Sequence, residues 1–208
     1  MSSDQHEQAL RPVETAPGVL VHPTADRRLA VAHWLLSTLP AQGRDRARLE
    51  WRHQGLAMLP LGTLFSAIRI PGRLVMAITG TLVPHEIDGF LAEALDGGPV
   101  ICDPRGPRYY ALVPASVPST WRDAADDWRD ADVDVLGRGT LLGVPPVDAV
   151  GLDAATHASY WSVPMESMGM LCAPLKVARL IAAGHGALEE AEMAQASLGL
   201  GLRPIRES

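Results

Sequence analysis

The sequence predicts an α+β fold in which a mixed or mostly antiparallel sheet is covered by helices on one face, with a helical segment at the N-terminus. Three observations predict it. Helical periodicity comes first, strand-like runs crowd the middle, and a helical run closes the chain. Several strand-like runs are separated by turns of only two to five residues, too short to join parallel neighbours. The length, 208 residues, suits one domain with short terminal additions.

Residues 1–22 hold Pro12, Pro17 and Gly18 without periodicity, which predicts a loose arm. A single domain is expected over 23–185 and a C-terminal helical tail over 186–208. Thr24 is placed to cap a helix over 24–39, with Asp26 in the first turn and Leu29, Ala32, His33, Leu36 and Leu39 at helical spacing. A second helix over 44–53 ends at Gly55. Residues 56–61 and 64–70 read as strands, 73–79 as a short helix, and Pro84 opens a helix whose apolar face is Ile87, Phe90, Leu91, Ala94 and Leu95.

Residues 99–102 and 108–113 flank a five-residue turn and predict an antiparallel hairpin. Ser119 is placed to cap a helical run carrying Trp121, Ala125 and Trp128. Residues 133–136 and 140–144 read as strands around Gly137 and Gly139, and 147–158 as loop. Residues 160–163 form a last strand, and a helix runs from Pro174 to a stop at Gly184.

A 47% hydrophobic share is enough for a sizeable core, and with aromatics at 5% that core must be aliphatic. No stretch reaches the ~18 apolar residues of a membrane span, so no membrane partner is expected. The polar N-terminus lacks the basic start and apolar centre of a signal peptide, and a cytoplasmic location is expected. Cys102 and Cys172 lie far apart without ligand spacing, which reads as two buried thiols.

The net charge of −6 argues against a surface coated for DNA, but it is unevenly spread. Residues 1–55 carry seven Arg against six acids, whereas residues 119–160 carry three Arg against eight. Arg44, Arg48 and Arg52 recur at i, i+4 and i+8 and form one stripe, either meeting an anion or forming a solvated face beside Asp45 and Glu50. Five acids between 123 and 132 lack the Gly placement of a calcium loop and read as a solvated face.

No phosphate loop, nucleophile elbow or His pair at ligand spacing is present. Two acids could act together. Asp103 ends a buried strand and Asp134 lies within another. If those strands are neighbours, the pair could hold Mg²⁺ or Mn²⁺ and serve a metal-dependent nucleotidyltransferase; otherwise Asp103 starts a turn and Asp134 faces solvent.

Three segments in the right order, within about residues 25–165, resemble the primase–polymerase (prim-pol) domain, a relative of archaeo-eukaryotic primases, in a degenerate short form. His53-Gln-Gly-Leu-Ala-Met-Leu-Pro-Leu61 is similar to its helix–Gly–strand opening. Arg105-Gly-Pro-Arg-Tyr-Tyr-Ala-Leu-Val-Pro114 is similar to its central turn and strand. Val133-Asp-Val-Leu-Gly-Arg-Gly-Thr-Leu-Leu-Gly-Val-Pro-Pro146 is similar to its strand–Gly–strand–Pro-Pro ending.

The resemblance implies two catalytic metals held by a closely spaced acid pair on an early strand, a third acid, and a His after the Gly-rich turn. Here the strand-like runs within residues 64–101 hold no such pair, and Arg108, Tyr109 and Tyr110 stand where the His would be. Asp134 alone matches, as the third acid. The implied role is therefore a non-catalytic accessory or regulatory protein of DNA replication or maintenance, such as that of a mobile element, without a cofactor. Its DNA contacts would be Arg44, Arg48, Arg52, Arg105 and Arg108. The alternative is an acidic protein-interaction module using exposed Trp121 and Trp128.

Overall fold

The computed structural model describes residues 13–16, 19–21 and 24–200. In chain order the elements begin with β1 (Val13–Ala16), β2 (Val19–Val21), α1 (Thr24–Leu36), α2 (Ala41–Gln54), β3 (Ala57–Pro60) and β4 (Phe65–Pro71). There follow α3 (Gly72–Thr79), α4 (Pro84–Ala94), β5 (Val100–Asp103), β6 (Arg108–Pro114), α5 (Val117–Thr120) and α6 (Arg122–Trp128). A 3₁₀ turn, Arg129–Ala131, leads to β7 (Asp134–Leu136), β8 (Leu141–Val144), β9 (Tyr160–Val163) and α7 (Pro174–Leu200).

The expected α+β class holds. The central sheet has the order β7-β4-β6-β5-β9, with every pairing antiparallel, and β5 and β6 form the predicted hairpin. Alternation along β4 explains why this sheet is buried on both sides. Ile68 and Ile70 point to one face, while Phe65 and Ala67 point to the other, and all four are buried.

On the first face Ile68, Ile70, Val100 and Val113 pack against Leu74 of α3, Ile87 and Leu91 of α4, and Val177 and Ile181 of α7. On the second face Phe65, Ala67, Ile101 and Leu112 pack against Leu35 of α1, Ala47 of α2 and a separate ribbon of β3 and β8. Each large aliphatic side chain removed from water here contributes about 1.5–3 kcal/mol. The expected cover on one face is thus corrected: β4 is apolar on both sides and therefore demands two layers.

Four local expectations also change. The segment 1–22, expected to be loose, carries an antiparallel pairing of β1 with β2, Val13 opposite Val21. Ser119 lies inside α5 and does not cap the run: its Oγ donates to the Ser116 carbonyl at 2.7 Å. The runs around Gly137 and Gly139 do not pair with each other. β7 joins the edge of the central sheet, and β8 crosses to β3 with Ala57 opposite Val144. The connecting turn sits under Gly62, where a Cβ would fall 2.5 Å from the Arg138 nitrogen, so that only glycine admits the passage.

The fourth change concerns Gly184. The sequence predicts a stop there, yet α7 is continuous from 174 to 200, so the boundary expected at 185 falls inside a helix. Gly184 is buried against α3, and a Cβ on it would sit 2.9 Å from the Leu74 carbonyl oxygen and 3.0 Å from the Leu74 Cβ. Its role is close helix approach rather than termination. Gly186, two residues on, has nothing within 4 Å of the equivalent position.

The two glycines give opposite expectations for one substitution. Gly186→Ala should stabilise the protein by about 0.5–1 kcal/mol, because alanine restricts the unfolded chain and favours helix. Gly184→Ala should destabilise it by about 1–3 kcal/mol through overpacking. Urea midpoints of the two variants test this, and a stabilising Gly184→Ala would refute the packing role.

Candidate functional site

The register of β4 builds the site. Arg69 lies opposite Asp134 of β7 on one side and Tyr110 of β6 on the other. It points to the same face as Phe65 and Ala67, but near the strand end. The Arg69 Nη2 donates to the Asp134 carboxylate, with side chains 33% and 38% exposed. A pair this exposed adds at most about 1 kcal/mol of stability. Its importance is positional, because the Asp134 carboxylate already carries a fixed cation.

Beside this pair lies a concavity of about 350 Å³ lined by Arg69, Arg73, Arg108, Met76 and Asp132. Arg73 donates to the Ala131 carbonyl at 3.0 Å and pairs with Asp132 at 2.7 Å. Arg108 is exposed and has no ion partner among the described residues. Three guanidiniums against the Asp132 carboxylate and the Arg69-bound Asp134 leave one net positive charge, on Arg108, with planar donors suited to phosphate or carboxylate. On the other flank of Arg69, a cleft of about 390 Å³ separates the sheet from the ribbon. Arg69, Asp103 and Tyr110 form one wall, and Leu56, Met58 and Leu141 the other.

Asp103 and Asp134 do not meet. Their strands are separated by β4 and β6, a spacing of about 14 Å across three strand steps. The condition on which the shared metal site rested, neighbouring strands, is therefore not met. Asp103 instead accepts the Arg105 backbone N–H at 3.2 Å and shapes the turn. Among the described residues no group of three or more His, Cys, Asp or Glu could hold a metal ion.

The predicted arginine stripe divides. Arg44 donates to the Leu39 carbonyl at 3.1 Å, capping the turn that follows α1. Arg48 pairs with Asp45 at 2.7 Å, one turn away. Arg48 and exposed Arg52 then join Arg28 of α1 along a groove of about 650 Å³ between the two helices. Arg105, at the far hairpin, donates to the Thr156 carbonyl at 2.9 Å and ties the turn to the 147–158 loop. Trp121 and Trp128 are half-buried against the core, with ring centroids 6.2 Å apart, so the expected exposure of both is corrected. The acidic run lies around them: Asp123, Asp126, Asp127 and Asp130 are exposed.

A second polar cluster sits under α4. Asp88 accepts hydrogen bonds from the hydroxyls of Ser162 and, at 3.3 Å, Tyr160. Burial raises its carboxyl above the ordinary 3.8, and those hydrogen bonds and nearby His85 offset part of the rise. Burial also pushes the Cys102 thiol up to about 11 and the Cys172 thiol up to about 12. Both cysteines are free and buried, as expected, and neither is poised as a thiolate nucleophile.

Family models, curated proteins and solved structures contain no match to this chain. Among the described residues no helix is long and apolar enough to cross a membrane. Sequence reasoning missed Arg69, Arg73 and Arg28 as site residues. The legible signal for Arg69 was a lone cation inside an apolar strand run, where an unpaired charge is costly and a partner is implied.

Asp88 makes stability pH-dependent with an unusual sign for a carboxylate. Its folded-state affinity for a proton exceeds that of the unfolded chain, so its contribution is complete below 3.8 and is lost as pH rises through the raised folded value. Urea midpoints of the wild type and Asp88→Asn, compared from acidic to neutral pH, should show the variant gaining relative stability as pH rises. A constant difference would contradict this.

Proposed function

We propose that this chain is a non-catalytic, prim-pol-like protein that acts as an accessory or regulatory factor in DNA replication or maintenance. It holds a nucleic-acid strand by its phosphates at the cationic end of the sheet. The observation that carries this reading is the Arg69–Asp134 ion pair. Asp134 is the one acid that matches the family's metal ligands, and it is occupied by a guanidinium rather than left open for a cation. Two metals facing a triphosphate need several carboxylates in one place, and Asp103, the other acid weighed as a ligand, lies across the sheet from Asp134.

The same substitution of cation for metal supports phosphate binding. Arg69, Arg73 and Arg108 line one concavity, and Arg108 and Arg105 flank the hairpin turn. Bidentate guanidinium–phosphate contacts give affinity without base selection. The net charge of −6 keeps binding local, since the acidic 119–160 segment repels a phosphate chain.

The test is fluorescence anisotropy with labelled single-stranded and primed DNA. The expected outcome is binding that weakens with salt, and a loss of about tenfold in Arg108→Glu from charge reversal at the contact. Absence of binding at about 50 mM salt removes the reading. Primer extension with Mg²⁺ or Mn²⁺ should give no product, and extension would make the protein an enzyme.

A further inference from the structure

A different surface carries a separate inference. The groove between α1 and α2 has an apolar floor: Leu29, Ala32 and Leu36 from α1, Trp51 from α2, and Pro146 and Val147 from the segment after β8. Its rim is cationic. Arg28 and Arg52 are exposed and have no ion partner among the described residues, and Arg48 pairs only with Asp45, itself exposed. Asp148 is the one acid that lines it. The floor is fixed in place, because the Trp51 indole N–H donates to the Val144 carbonyl at 2.8 Å and Leu36 is buried.

We propose that this groove docks an acidic amphipathic helix of a partner protein. Apolar residues at i, i+3, i+4 and i+7 of that helix rest on the floor, and Glu or Asp beside them meet Arg28, Arg48 and Arg52. The wall formed by α1, 13 residues long, extends about 20 Å, enough for some three to four turns of a bound helix. Charge complementarity selects the partner's sign, since Arg28, Arg52 and the Asp45-paired Arg48 face one carboxylate, Asp148, across the groove.

The lining favours a peptide over a nucleic-acid strand. Strand-binding surfaces stack bases on aromatic faces, whereas the lining here is mostly aliphatic and, of its two aromatic rings, His33 and Trp51, the Trp51 indole is edge-bonded to the backbone. Asp148 would also oppose a continuous polyanion but is easily avoided by spaced carboxylates. The site is independent of the concavity at Arg69, Arg73 and Arg108, so either proposal can fail alone.

The test uses the full chain and two fluorescein-labelled synthetic peptides of identical Leu/Glu/Ala composition. One carries Leu at helical i, i+3, i+4 and i+7 spacing, and the other has the same residues scrambled. The patterned peptide should bind at least about tenfold tighter than the scrambled one. Arg28→Glu and Arg52→Glu, both at exposed positions, should each weaken it by about tenfold while the circular dichroism spectrum stays unchanged. Equal binding of the two peptides, no binding of either, or insensitivity to both charge reversals overturns the proposal. A dT oligonucleotide is the remaining arm: if it binds the wild type and is lost in these two variants but kept in Arg108→Glu, the groove is a nucleic-acid site and the peptide proposal is wrong.

Discussion

The pairing of β4 between β6 and β7 is the constraint from which the architecture and the site follow. Its register sets Ile68 opposite Ala111 and Val135, and Arg69 opposite Tyr110 and Asp134. A shift of one residue would exchange the two faces of the strand. Ile68 and Ile70 would lose α3, α4 and α7, and Arg69 would be driven into an apolar layer. Burial on both faces therefore holds the register far more firmly than the ion pair does, and the ion pair is its consequence.

That geometry explains why Asp103 and Asp134 share no site and where cationic concavities arise. Antiparallel order places Asp103 and Asp134 on strands that cannot touch, and it gives Asp134 a guanidinium neighbour instead. Positive charge accumulates where backbone turns leave room, at the sheet end beside Arg73 and Arg108 and in the trough between α1 and α2. The acidic residues from 123 to 130 lie on exposed positions of α6 and the following turn, so a net negative chain keeps two local cationic concavities.

Much of the fold was legible in the residues. Pro84 opened α4, Gly55 closed α2 in a left-handed conformation, and the Arg108–Pro114 run formed the strand its β-branched and aromatic content favours. These signals are local, and local propensity decides where backbone starts and stops. Gly184 failed as a stop because its missing side chain serves a neighbouring helix rather than its own end. Gly137 and Gly139 suggested a hairpin but mark a crossing between sheets, which depends on Gly62, from a distant part of the chain, admitting the Arg138 backbone. The tryptophans at 121 and 128 looked exposed because acids surround them, yet their rings fold onto the core.

Composition and periodicity determined by themselves that the chain is α+β with mostly antiparallel strands, a core that is mainly aliphatic although Phe65 and Trp161 are buried in it, and no acid pair on the early strand. Those are properties of residue type and spacing, and they survive any arrangement of the elements. Tertiary structure alone decided which charges meet: Arg69 with Asp134, Arg73 with Asp132, and Arg28 with Arg48 and Arg52 along one trough. Coulomb interaction depends on distance through space, which strand order and helix packing set, and sequence separation carries almost no information about it.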